Sequence, residues 1–139
     1  MIQPFHLAVT VKDIPEARRF YGEIMGFEEG RSAERWVDFN MYGHQFVIHL
    51  DENKTNQSIA ENPVDGHAVP VPHFGIVLEQ KDWDELAVKM KAVGTDFIIE
   101  PYLRFEGQPG EQSTMFFLDP SGNALEFKAF KNPEMLFAK

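Results

Sequence analysis

Three residues of this sequence have the types and placement to hold a metal ion. His6 and His73 each open a run in which apolar and other side chains alternate, Phe5-His6-Leu7-Ala8-Val9 and His73-Phe74-Gly75-Ile76-Val77-Leu78. Glu126 stands between Leu125 and Phe127 in a third such run, where a carboxylate needs a cation or a hydrogen-bond partner. A strand sends alternate side chains to opposite faces, so His6 goes with Ala8 and Thr10, His73 with Gly75 and Val77, and Glu126 with Ala124 and Lys128. Two imidazoles and a carboxylate presented with similar parity can hold a divalent ion on one face and leave its other positions open. His49, between Ile48 and Leu50, is a possible fourth ligand and the remaining strand histidine able to handle a proton. The chain has no Cys, so a thiolate site, a cysteine nucleophile and a disulfide framework are all excluded.

Substrate contacts are expected from three further residues. Tyr102 and Arg104 begin an irregular stretch, residues 102–111, that interrupts the second half of the chain. An Arg there can grip a carboxylate bidentately, and a Tyr can donate a hydrogen bond or a proton, which makes Tyr102 a catalytic candidate beside His49. Trp36 opens a strand and is expected either to line the substrate cavity or to pack in the core. Phe46, Phe74, Phe116 and Phe117 read as packing, and His44 and His67 as turn and linker residues with no role.

The elements that position these residues form a weak repeat at an offset close to 68 residues. After the first histidine strand comes Asp13-Ile14-Pro15-Glu16, a capping box, and a stripe of Ile14, Ala17, Phe20, Tyr21 and Ile24 ending at Gly26. After the second comes Asp82-Trp83-Asp84-Glu85, read as another capping box, and a stripe of Trp83, Leu86, Ala87, Met90 and Val93 ending at Gly94. Past each helix the period falls to 2: Trp36 to Phe39 and Gln45 to Leu50 in the first half, joined at Tyr42-Gly43, then Phe97 to Glu100, Thr114 to Leu118 and Ala124 to Phe130 in the second. The expected architecture is α+β, with module one over about 1–50, a linker over about 51–71, module two over about 72–130 and a tail over 131–139. Such a linker lets the halves pair within a chain or exchange between chains.

The 139 residues suit one domain, and a net charge of −9 from 13 basic and 22 acidic residues repels phosphate backbones and anionic lipid. Nucleic acid and membrane partners are not expected. The start, MIQPFHLAVT, lacks the basic and apolar regions of a signal peptide, and no run approaches the roughly 18 apolar residues of a membrane span. A cytoplasmic location is the expectation.

The paired modules, the strand-opening His6 and His73, and above all Phe117-Leu118-Asp119-Pro120-Ser121-Gly122-Asn123-Ala124-Leu125-Glu126 resemble the vicinal oxygen chelate superfamily of glyoxalases, extradiol dioxygenases, fosfomycin resistance enzymes and bleomycin-binding proteins. The resemblance covers nearly the whole chain. It implies two paired βαβββ modules whose curved sheets form a cup around a metal with helices outside, and in most members a homodimer. On that pattern His6, His73 and Glu126 match the ligand set of the extradiol dioxygenases. The glyoxalase pattern places a fourth ligand near His49: counting from the turn glycines selects Val47, and counting by the apolar frame selects His49.

Three functions follow from the resemblance. The first is oxidative ring cleavage of a small catechol-like aromatic with Fe(II) and O2. The second is a lyase, isomerase or thiol transferase reaction on a vicinal-oxygen substrate with Zn, Ni or Mn. The third is non-enzymatic sequestration of an aromatic or antibiotic molecule, against which retention of all three ligands argues.

Overall fold

The structure, a computed structural model, describes residues 2–55, 60–64 and 66–139. Backbone contacts divide the chain into two compact units, one of residues 1–57 with 119–123, the other of residues 58–118 with 124–139.

In the first unit β1 (His6–Val11) is followed by α1 (Ile14–Arg18), β2 (Glu28–Ala33), β3 (Trp36–Met41) and β4 (His44–Leu50). The strands lie in the order β1-β4-β3-β2, with β1 parallel to β4 and the other pairs antiparallel. Leu7, Val9 and Val11 share one face with Phe46, Ile48, Val37, Phe39 and Met41, which form core with Ile14, Ala17, Phe20 and Tyr21 of the helical segment. The opposite face carries His6, Ala8 and Thr10 beside Gln45, Val47 and His49. Asp13 caps α1 as expected, its Oδ1 accepting from the Glu16 N–H. The α-helix is shorter than its stripe predicts and continues as a π-helical stretch, Arg19–Ile24, in which consecutive Phe20 and Tyr21 are both buried. Tyr42 and Gly43 turn the β3–β4 hairpin with φ of 51° and 90°, the paired left-handed geometry that favours Gly in the second place. β2, exposed along its length and without an apolar alternation, was invisible to periodicity.

The second unit repeats this order. Residues 74–78 form an edge segment that runs parallel to the last strand, β9 (Ala124–Phe130), and are followed in the chain by α2 (Gln80–Ala92), β7 (Phe97–Arg104) and β8 (Gln112–Leu118). The edge segment bonds through the Phe74 and Leu78 N–H groups to the Ala124 and Lys128 carbonyls. Trp83, Leu86, Ala87 and Met90 pack against Met115, Phe117, Leu125 and Phe127, and the Trp83 indole N–H donates to the Phe127 carbonyl at 2.9 Å. The α+β class and the two βαβββ modules are therefore what the chain forms.

Four local expectations are corrected. Asp82 is not a cap: α2 begins earlier, at Gln80, with Glu79 as N-cap and no side-chain capping bond, and Asp82 sits in the first turn. Val93 leaves the apolar stripe because it is the C-cap residue and is exposed. Tyr102 and Arg104 belong to β7 itself, which runs through Pro101 with shifted register, so the loop begins at Phe105. The expected linker contains a two-stranded antiparallel hairpin, β5 (Ala60–Val64) with β6 (His67–Val71), whose Val64 and Val69 join a cluster with Ile99, Phe116 and Ala124. Pro63 and Pro70 masked its alternation. Residues 56–59 and 65 of that segment lie outside the described residues.

Candidate metal centre

In the second unit the edge segment brings His73 to Glu126. Phe74 pairs with Leu125, which puts Gly75 opposite Glu126, and the side chain of the glutamate comes back to the ring of His73. The His73 Nδ1 stands 2.8 Å from the Pro70 carbonyl, which can only accept, so Nδ1 carries the proton. In the neutral form of the ring Nε2 is then a lone pair, and that nitrogen stands 3.2 Å from Glu126 Oε2. Two acceptors at that separation need a shared proton or a shared cation. Ligands about 2.1 Å from one ion and at right angles stand about 3 Å apart, so the pair fits two adjacent positions on a divalent metal. The other carboxylate oxygen is already occupied, taking a hydrogen bond from Thr114 Oγ1 at 3.0 Å and lying 3.5 Å from Lys128 Nζ. The Phe116 ring meets the His73 imidazole edge-on with centroids 4.9 Å apart and limits its rotation.

His73 and Glu126 border a cavity of about 420 Å³ with Arg104, Gln112, Lys128 and Phe130 on its wall. Strand register explains the grouping: Arg104 pairs with Gln112 and Tyr102 with Thr114, while Gln112 pairs with Phe130 and Thr114 with Lys128, so all share a face with Glu126. Gln112 is buried, and its Oε1 has no hydrogen-bond partner among the described residues. Arg104 stacks over Phe105, with its guanidinium carbon 4.8 Å from the ring centroid. Tyr102 packs against the Val69, Ile99 and Phe116 cluster.

His6 opens β1 in the first unit and is exposed; its Nδ1 lies 2.9 Å from Gln45 Oε1, and Gln45 Nε2 lies 3.2 Å from Asp38 Oδ2. Among the described residues no three His, Asp or Glu side chains gather closely enough within the chain to hold a metal. His49 is exposed on β4, opposite Thr10 on one side and half-buried Trp36 on the other. Leu7 pairs with Phe46 as Phe74 pairs with Leu125, so Val47 takes the repeat position of Glu126, and His49 that of Lys128. His49 is four residues along β4 from Gln45, the partner of His6, or about 13 Å at the usual strand rise.

Sequence reasoning missed Thr114 and Gln112 around Glu126, and Gln45 and Asp38 beside His6. Strand parity was the available signal for Thr114, because it counts to the same face once β8 is registered against β9.

The turn that carried the resemblance is held by one carboxylate. Asp119 Oδ1 accepts from the Ser121 and Asn123 N–H groups, and Oδ2 accepts from the Asn123 amide at 2.8 Å and from the Tyr21 hydroxyl at 2.7 Å. Ser121 and Asn123 in turn bond the backbone of Lys12 and Thr10.

Residues 3–127 match the family model described as the Glyoxalase/Bleomycin resistance protein/Dioxygenase superfamily, and the chain belongs to that superfamily. It is 32% identical to a glyoxalase/bleomycin resistance protein/dioxygenase from Alicyclobacillus acidocaldarius, whose crystal structure it matches with a TM-score of 0.79 over 97% of this chain and 96% of that one. A genomically encoded fosfomycin resistance protein from Listeria monocytogenes has the same fold, with 23% identity, a TM-score of 0.70, and 98% of this chain and 100% of that one covered. Among curated proteins, the catechol-2,3-dioxygenase of Bacillus subtilis (strain 168) is 24% identical over 122 residues, 87% of this chain and 39% of that protein. The chain thus spans about two fifths of that relative's length. No helix among the described residues is long and apolar enough to cross a membrane.

Proposed function

We propose that the chain is a cytoplasmic, divalent-metal-dependent enzyme that holds Fe(II) through His6, His73 and Glu126 and cleaves a small catechol-like ring with O2. The observation that carries this reading is the His73–Glu126 pair, in which Nε2 and a carboxylate oxygen stand 3.2 Å apart while the Pro70 carbonyl takes Nδ1 as a donor. The catechol-2,3-dioxygenase relative supports the choice of reaction. Bound iron with three protein ligands would offer positions for two vicinal substrate oxygens and O2 and would lower the pKa of the substrate hydroxyls.

The chain's own residues would do the rest. Lys128 and Arg104 carry positive charge on the cavity wall and would offset the charge of an ionised diol or of a carboxylate on its ring. Gln112 Oε1, an unpaired acceptor, would take a hydroxyl proton as a hydrogen bond. Tyr102 would donate from the β7 side, and Trp36 with His49 would border the first unit's contribution. The register supports a three-ligand set, with His49 at a Lys128-like position. His6 lies on the first unit and the other two ligands on the second, so a complete set takes both units, in one chain or across a homodimer.

A second reading, a glyoxalase-type lyase, isomerase or thiol transferase using Zn, Ni or Mn, is favoured by the same two cations, which also suit an anionic aliphatic substrate with vicinal oxygens. Elemental analysis of protein purified anaerobically without chelator, with oxygen uptake on a catechol panel, separates the two. Stoichiometric iron with uptake supports ring cleavage. Zinc, nickel or manganese without uptake overturns it in favour of the second reading, and failure to bind any of them after reconstitution overturns both.

A further inference from the structure

The two histidines stand at equivalent repeat positions, since Leu7 and Phe74 pair alike with β4 and β9. They differ in what holds them. His73 is fixed by the Pro70 carbonyl, a backbone acceptor that needs no particular side chain. His6 has no such carbonyl on its Nδ1 and leans on a side-chain amide, which can in principle present either its oxygen or its nitrogen.

The neighbour of that amide removes the freedom. Asp38 is acceptor-only when ionised, so the end of Gln45 that faces it at 3.2 Å must be the NH2 group. The Gln45 oxygen is then turned to His6, 2.9 Å from Nδ1. An amide oxygen accepts only, so Nδ1 must be the protonated nitrogen, and Nε2 is left as a lone pair. We infer that Gln45 and Asp38 are positioning residues that lock His6 in its Nδ1–H tautomer and so present its Nε2 for ligation, doing with two side chains what Pro70 does for His73 with one carbonyl. The inference rests on the proposed role of His6, and it goes beyond that role in naming a residue pair whose order of donors and acceptors decides which nitrogen is available. An outer acceptor of this kind both orients a ligating imidazole and raises its basicity, and its loss typically weakens metal affinity roughly 10- to 100-fold.

Long-range ¹H–¹⁵N spectra of the metal-free protein, at a pH where the imidazoles are neutral, read the tautomer directly, with His6→Ala assigning the signals. The expected result is an Nδ1–H ring at position 6 in the native chain. Gln45→Leu should release it to the other tautomer and raise the Mn(II) or Zn(II) dissociation constant roughly 10- to 100-fold, with the thermal midpoint unchanged because Gln45 is exposed. Asp38→Asn alone should give a mixture of tautomers, since the amide can then turn either way. The double variant Gln45→Glu/Asp38→Asn restores the order, an amide donating to a carboxylate that accepts from Nδ1–H, and should restore the native tautomer. An Nε2–H ring in the native protein, or a native tautomer that persists in Gln45→Leu, overturns the lock. A correct tautomer in a protein that binds none of these ions leaves the lock standing and overturns the metal reading instead.

Discussion

The backbone of Gly75 lies so close to Glu126 that a Cβ at position 75 would overlap the glutamate's carbonyl oxygen. The approach follows from the parallel edge, where the Glu126 N–H donates to the Phe74 carbonyl at 2.8 Å and the Lys128 N–H donates to that of Ile76 at 3.2 Å. Glycine here is a matter of space, and it is what lets the segment carrying His73 close on the strand carrying Glu126.

Gly75→Ala should therefore separate the two proposed ligands. The obstructing atom belongs to the backbone and cannot swing aside, so the edge must shift, at a cost of about 1–3 kcal/mol by analogy with overpacked cores. Chemical denaturation would read that loss, and metal titration a weakened site. A variant with native stability and native affinity would contradict the geometry.

Tyr21 should act as a stability element with an alkaline signature. Its hydroxyl is buried against Asp119, and burial first, then the charge of Asp119 and its hydrogen bond, push the phenol well above its usual 10.0. In the unfolded chain the phenol loses its proton above about pH 10, while the folded chain retains it. The stabilisation is therefore full below that pH and is lost as pH rises through the folded value. Tyr21→Phe should cost about 1–3 kcal/mol at neutral pH and flatten the fall in stability above about pH 10. Denaturant midpoints across that range would show a parallel pair of curves if the phenol were not involved.

Most of this frame was legible in the sequence because it rests on local patterns. His6, His73 and Glu126 stood out as polar residues inside alternating runs, and Asp13 and Tyr42-Gly43 acted through neighbours only. The failures have physical reasons too. Glu79, a cap without a side-chain bond, left no trace beside the better capping box at Asp82. β2 pairs through its backbone and exposes its side chains, so it has no alternation to find. Nor was the choice between Val47 and His49 readable, since both share one face of β4 and the two local counts differ by two residues; the registers of the two parallel strand pairs put Val47 at the repeat position of Glu126.

Arg104→Ala should raise KM for the true substrate while leaving metal occupancy unchanged, because Arg104 lines the cavity and is not one of the proposed ligands. A lost charge-assisted contact is worth about 1.5–3 kcal/mol, or roughly ten- to a hundredfold in KM. Steady-state kinetics beside elemental analysis would check both halves, and an unaltered KM would remove Arg104 from substrate binding.

The two units of the chain carry different parts of the proposed ligand set, His6 on the first and His73 with Glu126 on the second, and a mixing experiment follows from that division. His6→Ala and His73→Ala each leave every site in their own homodimer incomplete. If units exchange between copies, a mixed dimer has one site built from the intact His6 of one chain and the intact His73 and Glu126 of the other. If each set closes within a chain, the mixture has no intact site at all. The homodimer reading predicts that the two variants, each unable to bind metal tightly, regain binding after they are unfolded together and refolded, and that neither does so alone. The converse mixture, a wild-type chain with a chain carrying both substitutions, should keep no intact site in its mixed dimers if sets are shared and one if they are not. Both readouts need only a metal titration, and agreement between them would assign His6 to its partners without any assumption about the reaction.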